Sequence, residues 1–200
     1  MTPTSPTSPI SPASPNSPAS PATWTVTRRP VHDPASAALL RDYLVDVADR
    51  WYVLHHGRTC TPEEIERHLA EDPSDDLDPP RGVLLVAEYE GRAAGCAGLR
   101  WLDPETSEAP ETAEVKRMFI RPEWRGLGGG TALLDALEAV ARGWRARRLV
   151  LDTRQDLVQA RALYARHGFM DIPPYRTGRY SEVWLGKELD LDKGLDTAQG

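Results

Sequence analysis

The sequence predicts an α/β domain, a mixed sheet of about seven strands with helices on both faces, and three patterns predict it. Two helices with strong start signals precede a meander of three apolar strands. The last of those strands runs through a glycine-rich turn straight into another helix. Beyond that helix, a short apolar strand, a helix ended by glycine and two closing strands complete the chain.

The elements follow in order. Residues 1–22 read as a tail, because Ser-Pro recurs every third position from Ser5-Pro6 to Ser20-Pro21. Proline at that density removes backbone donors and fixes φ, which predicts an extended, disordered segment. A docking role for a proline-reading module lacks any flanking charge or aromatic anchor. The domain spans 23–190. Residues 24–29 alternate apolar with polar, as a half-buried strand does. Asp33 and Pro34 then supply an N-cap and a first helical position, and Leu39, Leu40, Tyr43, Leu44, Val47 and Trp51 carry helical spacing to about His56. Thr61-Pro62-Glu63-Glu64 starts a second helix with a capping box, with Ile65 and Leu69 facing inward. The acidic, proline-bearing run 71–81 reads as a loop.

Residues 82–89 and 93–102 flank Glu90-Gly91-Arg92 and predict a hairpin. A polar loop at 103–111 leads to a strand at 113–120, ended by Arg121-Pro122. A helix over 128–143 buries Leu133, Leu134, Leu137, Val140 and Ala141. A short strand at 149–151 precedes a helix over 157–167, closed by Gly168 at its C′ position. Residues 169–172 and 182–185 are the closing strands, and 191–200 form a second tail.

Composition narrows the function. Two hundred residues with 40% apolar content suit one domain with one core. No run approaches the ~18 apolar residues that span a bilayer, and no basic segment leads an apolar one at the N-terminus. Cys60 and Cys96 lie far apart without a CxxC pattern, so a reduced cytosol with two structural thiols is the simpler reading. No histidine among His32, His55, His56, His68 and His167 has a nucleophile partner or a metal-ligand spacing beyond the 55–56 pair, so no metal is expected. The net charge of -6 argues against a general nucleic-acid binder. Acids crowd 63–78 and 188–196, whereas bases crowd Lys116, Arg117, Arg121 and Arg125, then Arg142 to Arg148. That asymmetry suits a cationic substrate on one side and a phosphorylated cofactor on the other; it equally suits a solvated surface.

The informative stretch is 114–131, where a buried strand ends, the chain turns through Gly126, Gly128, Gly129 and Gly130, and a helix begins. The first turn of a helix offers free N–H groups and partial positive charge to a phosphate. Glycines there remove side chains that would block a pyrophosphate, and Arg125 adds a charged donor. No Gly-Lys-Ser/Thr follows, so this is not a Walker A loop. Thr131 stands where a dinucleotide fingerprint requires its third glycine. A tight strand-to-helix connection without any ligand is the plain alternative.

Arg125, Gly128 and Gly130 match an Arg/Gln-x-x-Gly-x-Gly/Ala signature, and Ala160 to Phe169 match A-x-x-L-Y-x-x-x-G-F at the end of the next helix. On these two motifs the sequence resembles the GNAT N-acetyltransferase superfamily. The resemblance implies transfer of an acetyl group from acetyl-CoA, as co-substrate, to a small-molecule amine or amino-acid-like acceptor. It implies that Met118, Phe119 and Ile120 meet the pantetheine arm, and that Arg125, Gly126, Leu127, Gly128, Gly129, Gly130 and Thr131 cradle the pyrophosphate. Tyr164 would protonate the departing thiolate, and Glu114 would take the amine's proton through water. Strand N–H groups near Met118 or Phe119 would polarise the carbonyl. Trp51 and Tyr52 would border the acceptor groove, and acids of 63–78 could draw a cationic acceptor. A homodimer is left open, since many relatives pair through the sheet edge or the C-terminal strands. Leu157 departs from the pattern, since many relatives carry Asn there to contact the cofactor. That departure keeps open a second reading, a non-catalytic acyl-CoA-binding regulatory module with the same fold.

Overall fold

Helix caps and strand alternation account for most of the architecture in the computed structural model, which describes residues 23–102, 111–178 and 180–191. Strands Trp24–Arg28 (β1), Gly82–Tyr89 (β2), Arg92–Trp101 (β3), Thr112–Ile120 (β4), Arg148–Thr153 (β5), Met170–Asp171 (β6) and Val183–Glu188 (β7) form one sheet. Their spatial order is β1-β2-β3-β4-β5-β7-β6, antiparallel throughout except for the β4–β5 pair. The helices are Pro34–His56 (α1), Pro62–Glu71 (α2), Gly129–Gly143 (α3) and Val158–Arg166 (α4). None is long and apolar enough to cross a membrane. The expected tail at 1–22, residues 192–200 of the C-terminal one and most of the loop at 103–111 lie outside the described residues.

The start signals act as their chemistry demands. The Asp33 side chain accepts from the Ala35 N–H at 3.0 Å, and α1 ends at Gly57, whose φ of 67° puts it in the left-handed region. Thr61 and Glu64 close a reciprocal capping box at the head of α2. Alternation in β2 then sends Val83, Leu85 and Ala87 to one face, against Leu133, Leu134 and Leu137 of α3. Leu84 and Val86 go to the other face, against Leu39 and Leu40 of α1. The three α3 leucines are fully buried, and truncating any of them to alanine costs about 2–5 kcal/mol.

The acidic run at 71–81 is a loop with structural duties. Its centre is a 3₁₀ turn, Asp75–Leu77, which drives Leu77 fully into the core. A Cβ at residue 98 would come within 2.5 Å of Leu77, so Gly98 makes room for it. Asp72 pairs with Arg117, Asp76 with Arg100, and Asp78 accepts from the Val31 N–H. These carboxylates tie loop to sheet and are not merely a solvated face.

One irregularity positions the site. Arg117, in the middle of β4, has a φ of 54°, and the β3–β4 register slips between Cys96 and Gly98. This bulge inserts a residue and flips the facing of the strand. Before it, Ala113 and Val115 point toward α3; after it, Met118 and Ile120 take that side and Phe119 turns to α1. On its other edge, β4 pairs with β5 only at Thr112, Ala113 and Glu114. Both strands run on, β4 to Ile120 and β5 to Thr153, without pairing to each other. The sheet therefore opens in its middle.

Candidate active site

Two cavities lie along the opened stretch of β4 and share Tyr43, Val47 and Leu157 as a common wall. The larger, about 640 Å³, sits at the head of α3. Its lining includes Met118, Phe119, Ile120, Arg125, Gly126, Gly128, Gly129, Gly130 and Thr131, so every residue expected at the cofactor except Leu127 converges there. The Leu127 side chain is exposed, and its carbonyl accepts from the Trp24 indole at 2.7 Å. Gly128 occupies the N-cap of α3 and offers no side-chain cap, which leaves the first helical N–H groups without intrahelical partners. A pyrophosphate is the kind of group such a terminus accepts.

The glycines are there for two different reasons. Gly126 and Gly128 have φ of 80° and 88°, a backbone conformation that L side chains rarely take. Gly129 and Gly130 are constrained by packing, since a Cβ would come within 2.5 Å of Trp24 and 2.8 Å of Leu163 respectively. The requirement for a small residue at those two positions is thus internal. Arg125 donates to the Ile120 carbonyl at 2.9 Å and pairs with Asp46 at 3.1 Å, which holds it at the cavity wall. Sequence reasoning passed over Arg50, Gln159 and Arg166, which also line this cavity. A signal existed: Gln159, Leu163 and Arg166 recur at helical spacing on the face of α4 that borders the cavity.

The smaller cavity, about 400 Å³, lies beneath α1 and α2. Trp51 and Tyr52 line it as expected, with Tyr43 and Tyr180 completing an aromatic wall. Of the acidic run, only Glu71 and Asp72 reach it, and His68 reaches it too, its ring packed against Tyr52. The floor comes from the splayed strands: Lys116 and Arg117 from β4, Asp152, Thr153 and Arg154 from the β5 side, and Arg176 from the segment before β7. Burial alone would push the Asp152 carboxyl up, yet Lys116, the Ser181 hydroxyl and Arg176 hold it below the usual carboxylate range. Burial lowers the Lys116 ammonium, with Glu114 and Asp152 opposing. Burial also disfavours the charge on Arg117, but Asp72 and Tyr43 keep it firmly charged.

Tyr164 and Glu114 line neither cavity. Tyr164 is buried in the α3-side core beside Phe169, with ring centres 5.8 Å apart, and its hydroxyl makes no hydrogen bond among the described residues. Burial, reinforced by Tyr43 and Asp152, raises its phenol above the ordinary value. Glu114 is fully buried. Its carboxylate accepts from Arg100 at 2.6 and 2.8 Å and from the Tyr175 hydroxyl at 2.9 Å, and pairs with Arg176 at 3.1 Å. Lys116 stands 4.0 Å away. Among the described residues no group of three potential ligands could hold a metal ion.

A family profile decides the ancestry. That of the acetyltransferase (GNAT) family matches residues 43–169, from the middle of α1 to the end of α4. The chain belongs to the GNAT family. An uncharacterised N-acetyltransferase of Schizosaccharomyces pombe is 33% identical over 125 residues, 62% of this chain and 73% of the relative. An aminoglycoside N(6')-acetyltransferase of Stenotrophomonas maltophilia is 31% identical over 107 residues, 50% of this chain and 70% of that one. Among solved structures, an N-acetyltransferase of Thermoplasma acidophilum in complex with coenzyme A superposes with a TM-score of 0.58. That match covers 84% of this chain and 99% of the other at 17% identity, and so speaks to the fold alone. This GNAT protein is accordingly an N-acetyltransferase with the mixed seven-stranded sheet of its family, whose general reaction is acetyl-CoA-dependent N-acetylation.

Proposed function

We infer that this GNAT enzyme transfers the acetyl group of acetyl-CoA to a small-molecule primary amine by direct attack within a ternary complex. The observation that carries the reading is the pair of cavities meeting at Tyr43, Val47 and Leu157 beside unpaired β4, which lets donor and acceptor be held at once. Acetyl-CoA suits the larger cavity: an uncapped helix terminus and Arg125, Arg50 and Arg166 suit phosphates, while Met118 and Ile120 offer unpaired strand backbone to an amide-bearing arm. The amine suits the smaller one. The aminoglycoside activity named for one relative is consistent with a small acceptor.

At neutral pH an alkylamine with pKa ~10.4 is almost entirely protonated, so turnover needs a route for its proton. Glu114 takes that proton through water. The Glu114 oxygens are already engaged by Arg100, the Tyr175 hydroxyl and Arg176, which makes this the smaller catalytic contribution. The neutral amine then attacks the thioester carbon, and backbone N–H groups beside the Arg117 bulge steady the developing oxyanion. The C–S bond breaks as Tyr164 protonates the leaving thiolate, and the proton shed by the acylated nitrogen restores the Tyr164 phenol through water. Its raised phenol pKa keeps that proton in place across the working range. Thiol release from acetyl-CoA over a panel of aminoglycosides, polyamines and amino acids tests the reading. Release with one amine class supports it; acetyl-CoA binding without release for any small amine refutes it in favour of a macromolecular acceptor or a sensor.

A further inference from the structure

Four cations line the smaller cavity, and three already have partners. Arg117 is hydrogen-bonded to Asp72, Arg154 grips Asp156 at 2.7 and 2.8 Å and the Val47 carbonyl, and Arg176 is held by Asp152 and Glu114. Lys116 differs. Its side chain is only 15% exposed, and its ammonium makes no hydrogen bond among the described residues; its ion-pair partners are Glu114 at 4.0 Å and Asp152 at 3.9 Å. Those two carboxylates are themselves bonded to Arg100 and Arg176, so neither turns fully to the lysine. An ammonium whose ion-pair partners stand at 3.9 and 4.0 Å keeps donors available for an acceptor group that enters the cavity.

The opposite wall of the same cavity is aromatic and aliphatic, from Tyr43, Trp51, Tyr52, Leu44 and Val47. Lys116 lies on β4 two residues ahead of Met118, which lines the cofactor cavity. A group held by Lys116 therefore lies beside the stretch of β4 that leads into the donor cavity. An acceptor meeting all three features carries an anion close to its amine and an apolar body beyond.

We propose that Lys116 is a specificity-determining residue that binds the carboxylate of the acceptor, and that the acceptor is an α-amino acid, or a close analogue, with an apolar or aromatic side chain. The proposal rests on the ternary-complex reading above and narrows it. The carboxylate completes the Lys116 ammonium, the side chain packs on Trp51 and Tyr52, and the α-amine, one carbon away, faces the strand opening. Nothing in this assignment makes Lys116 a proton carrier; it selects and orients.

The test compares acceptors that differ only in the carboxylate, phenylalanine against 2-phenylethylamine and leucine against 3-methylbutylamine. Wild type is expected to acetylate the carboxylate-bearing member at least tenfold better in kcat/KM. Lys116→Met is expected to abolish that preference, lowering kcat/KM through KM for the amino acid at least tenfold more than for the simple amine, and Lys116→Arg to restore part of it. A residue that merely braced the cavity would affect both members alike. Equal use of both members by wild type, or equal loss in the variant, overturns the proposal. Calorimetric titration of 3-phenylpropanoate into the coenzyme A-saturated protein supplies a readout that needs no turnover. Binding to wild type that Lys116→Met loses supports the carboxylate site even if no amine is acetylated, an outcome that would refute the small-molecule reading alone. Absence of such binding overturns the site.

Discussion

The turn at 125–131 and the cleft beneath α1 and α2 flank the same strand, yet they are built by opposite means. The first is made of backbone: left-handed Gly126 and Gly128, an uncapped helix start, and strand edges left unpaired where β4 and β5 part. The second is made of side chains from both early helices, both splayed strands and the segment before β7. A backbone site binds what the co-substrate always presents, whereas a side-chain site can change its acceptor by exchanging residues. The two should therefore respond to substitution in separate observables, cofactor affinity at one and acceptor KM at the other.

The sharpest break is Gly128→Glu. It forces a side chain into a left-handed position and sets a carboxylate against the phosphates, so acetyl-CoA affinity should fall by two orders of magnitude or more. The strain itself costs about 1–2 kcal/mol, and a thermal melt should show the fold intact. Next is Tyr164→Phe, expected to lower turnover about 10²-fold with cofactor affinity unchanged; equal turnover would remove Tyr164 from the chemistry. Trp51→Ala should raise acceptor KM about tenfold and leave acetyl-CoA binding alone, and a comparable loss at both sites would show that the two cavities are not separable. Leu157→Asn sharpens the comparison at its seam, because Leu157 lines both cavities. A hydrogen bond from the new amide to the pantetheine arm should tighten acetyl-CoA a few-fold, read by calorimetry.

A pH experiment touches both regions more gently. Burial raises the phenols of Tyr43, Tyr164 and Tyr175, so folding favours their neutral forms. Their stabilisation is full below the ordinary phenol value of ~10 and is lost as pH rises through the higher folded values. The melting temperature should be insensitive to these groups up to pH ~10 and decline above it, with a shallower decline in Tyr164→Phe and Tyr175→Phe.

What the sequence made legible follows the same division. Caps at Asp33 and Thr61, the 90–92 turn and the helix closed by Gly168 are local chemistry, and each expected element is present within a few residues of its bounds. The glycine turn at 125–131 was legible for the same reason, although Gly129 and Gly130 turned out to make room for Trp24 and Leu163. The smaller cavity was hardly legible. Arg117 adopts a positive φ without a glycine to announce it, and the strand's facing flips there, so no periodicity could say which side Lys116 and Phe119 take. Asp152, Arg154, Arg176 and Tyr180 meet only because β5 outruns its pairing with β4 and the chain before β7 folds back across the gap. Glu114 shows the limit most clearly. The resemblance implied a base that reaches its proton through water, and the burial of Glu114 among Arg100, Tyr175 and Arg176 depends on residues 14 to 62 positions away.

The most direct measurement is a calorimetric titration of acetyl-CoA into the wild-type protein and into Gly128→Glu, paired with thermal melts. Micromolar binding to wild type that disappears in a folded variant is the predicted result. Equal binding by both proteins, or none by wild type, would contradict the placement of the cofactor at the 125–131 turn and with it the division between the two cavities.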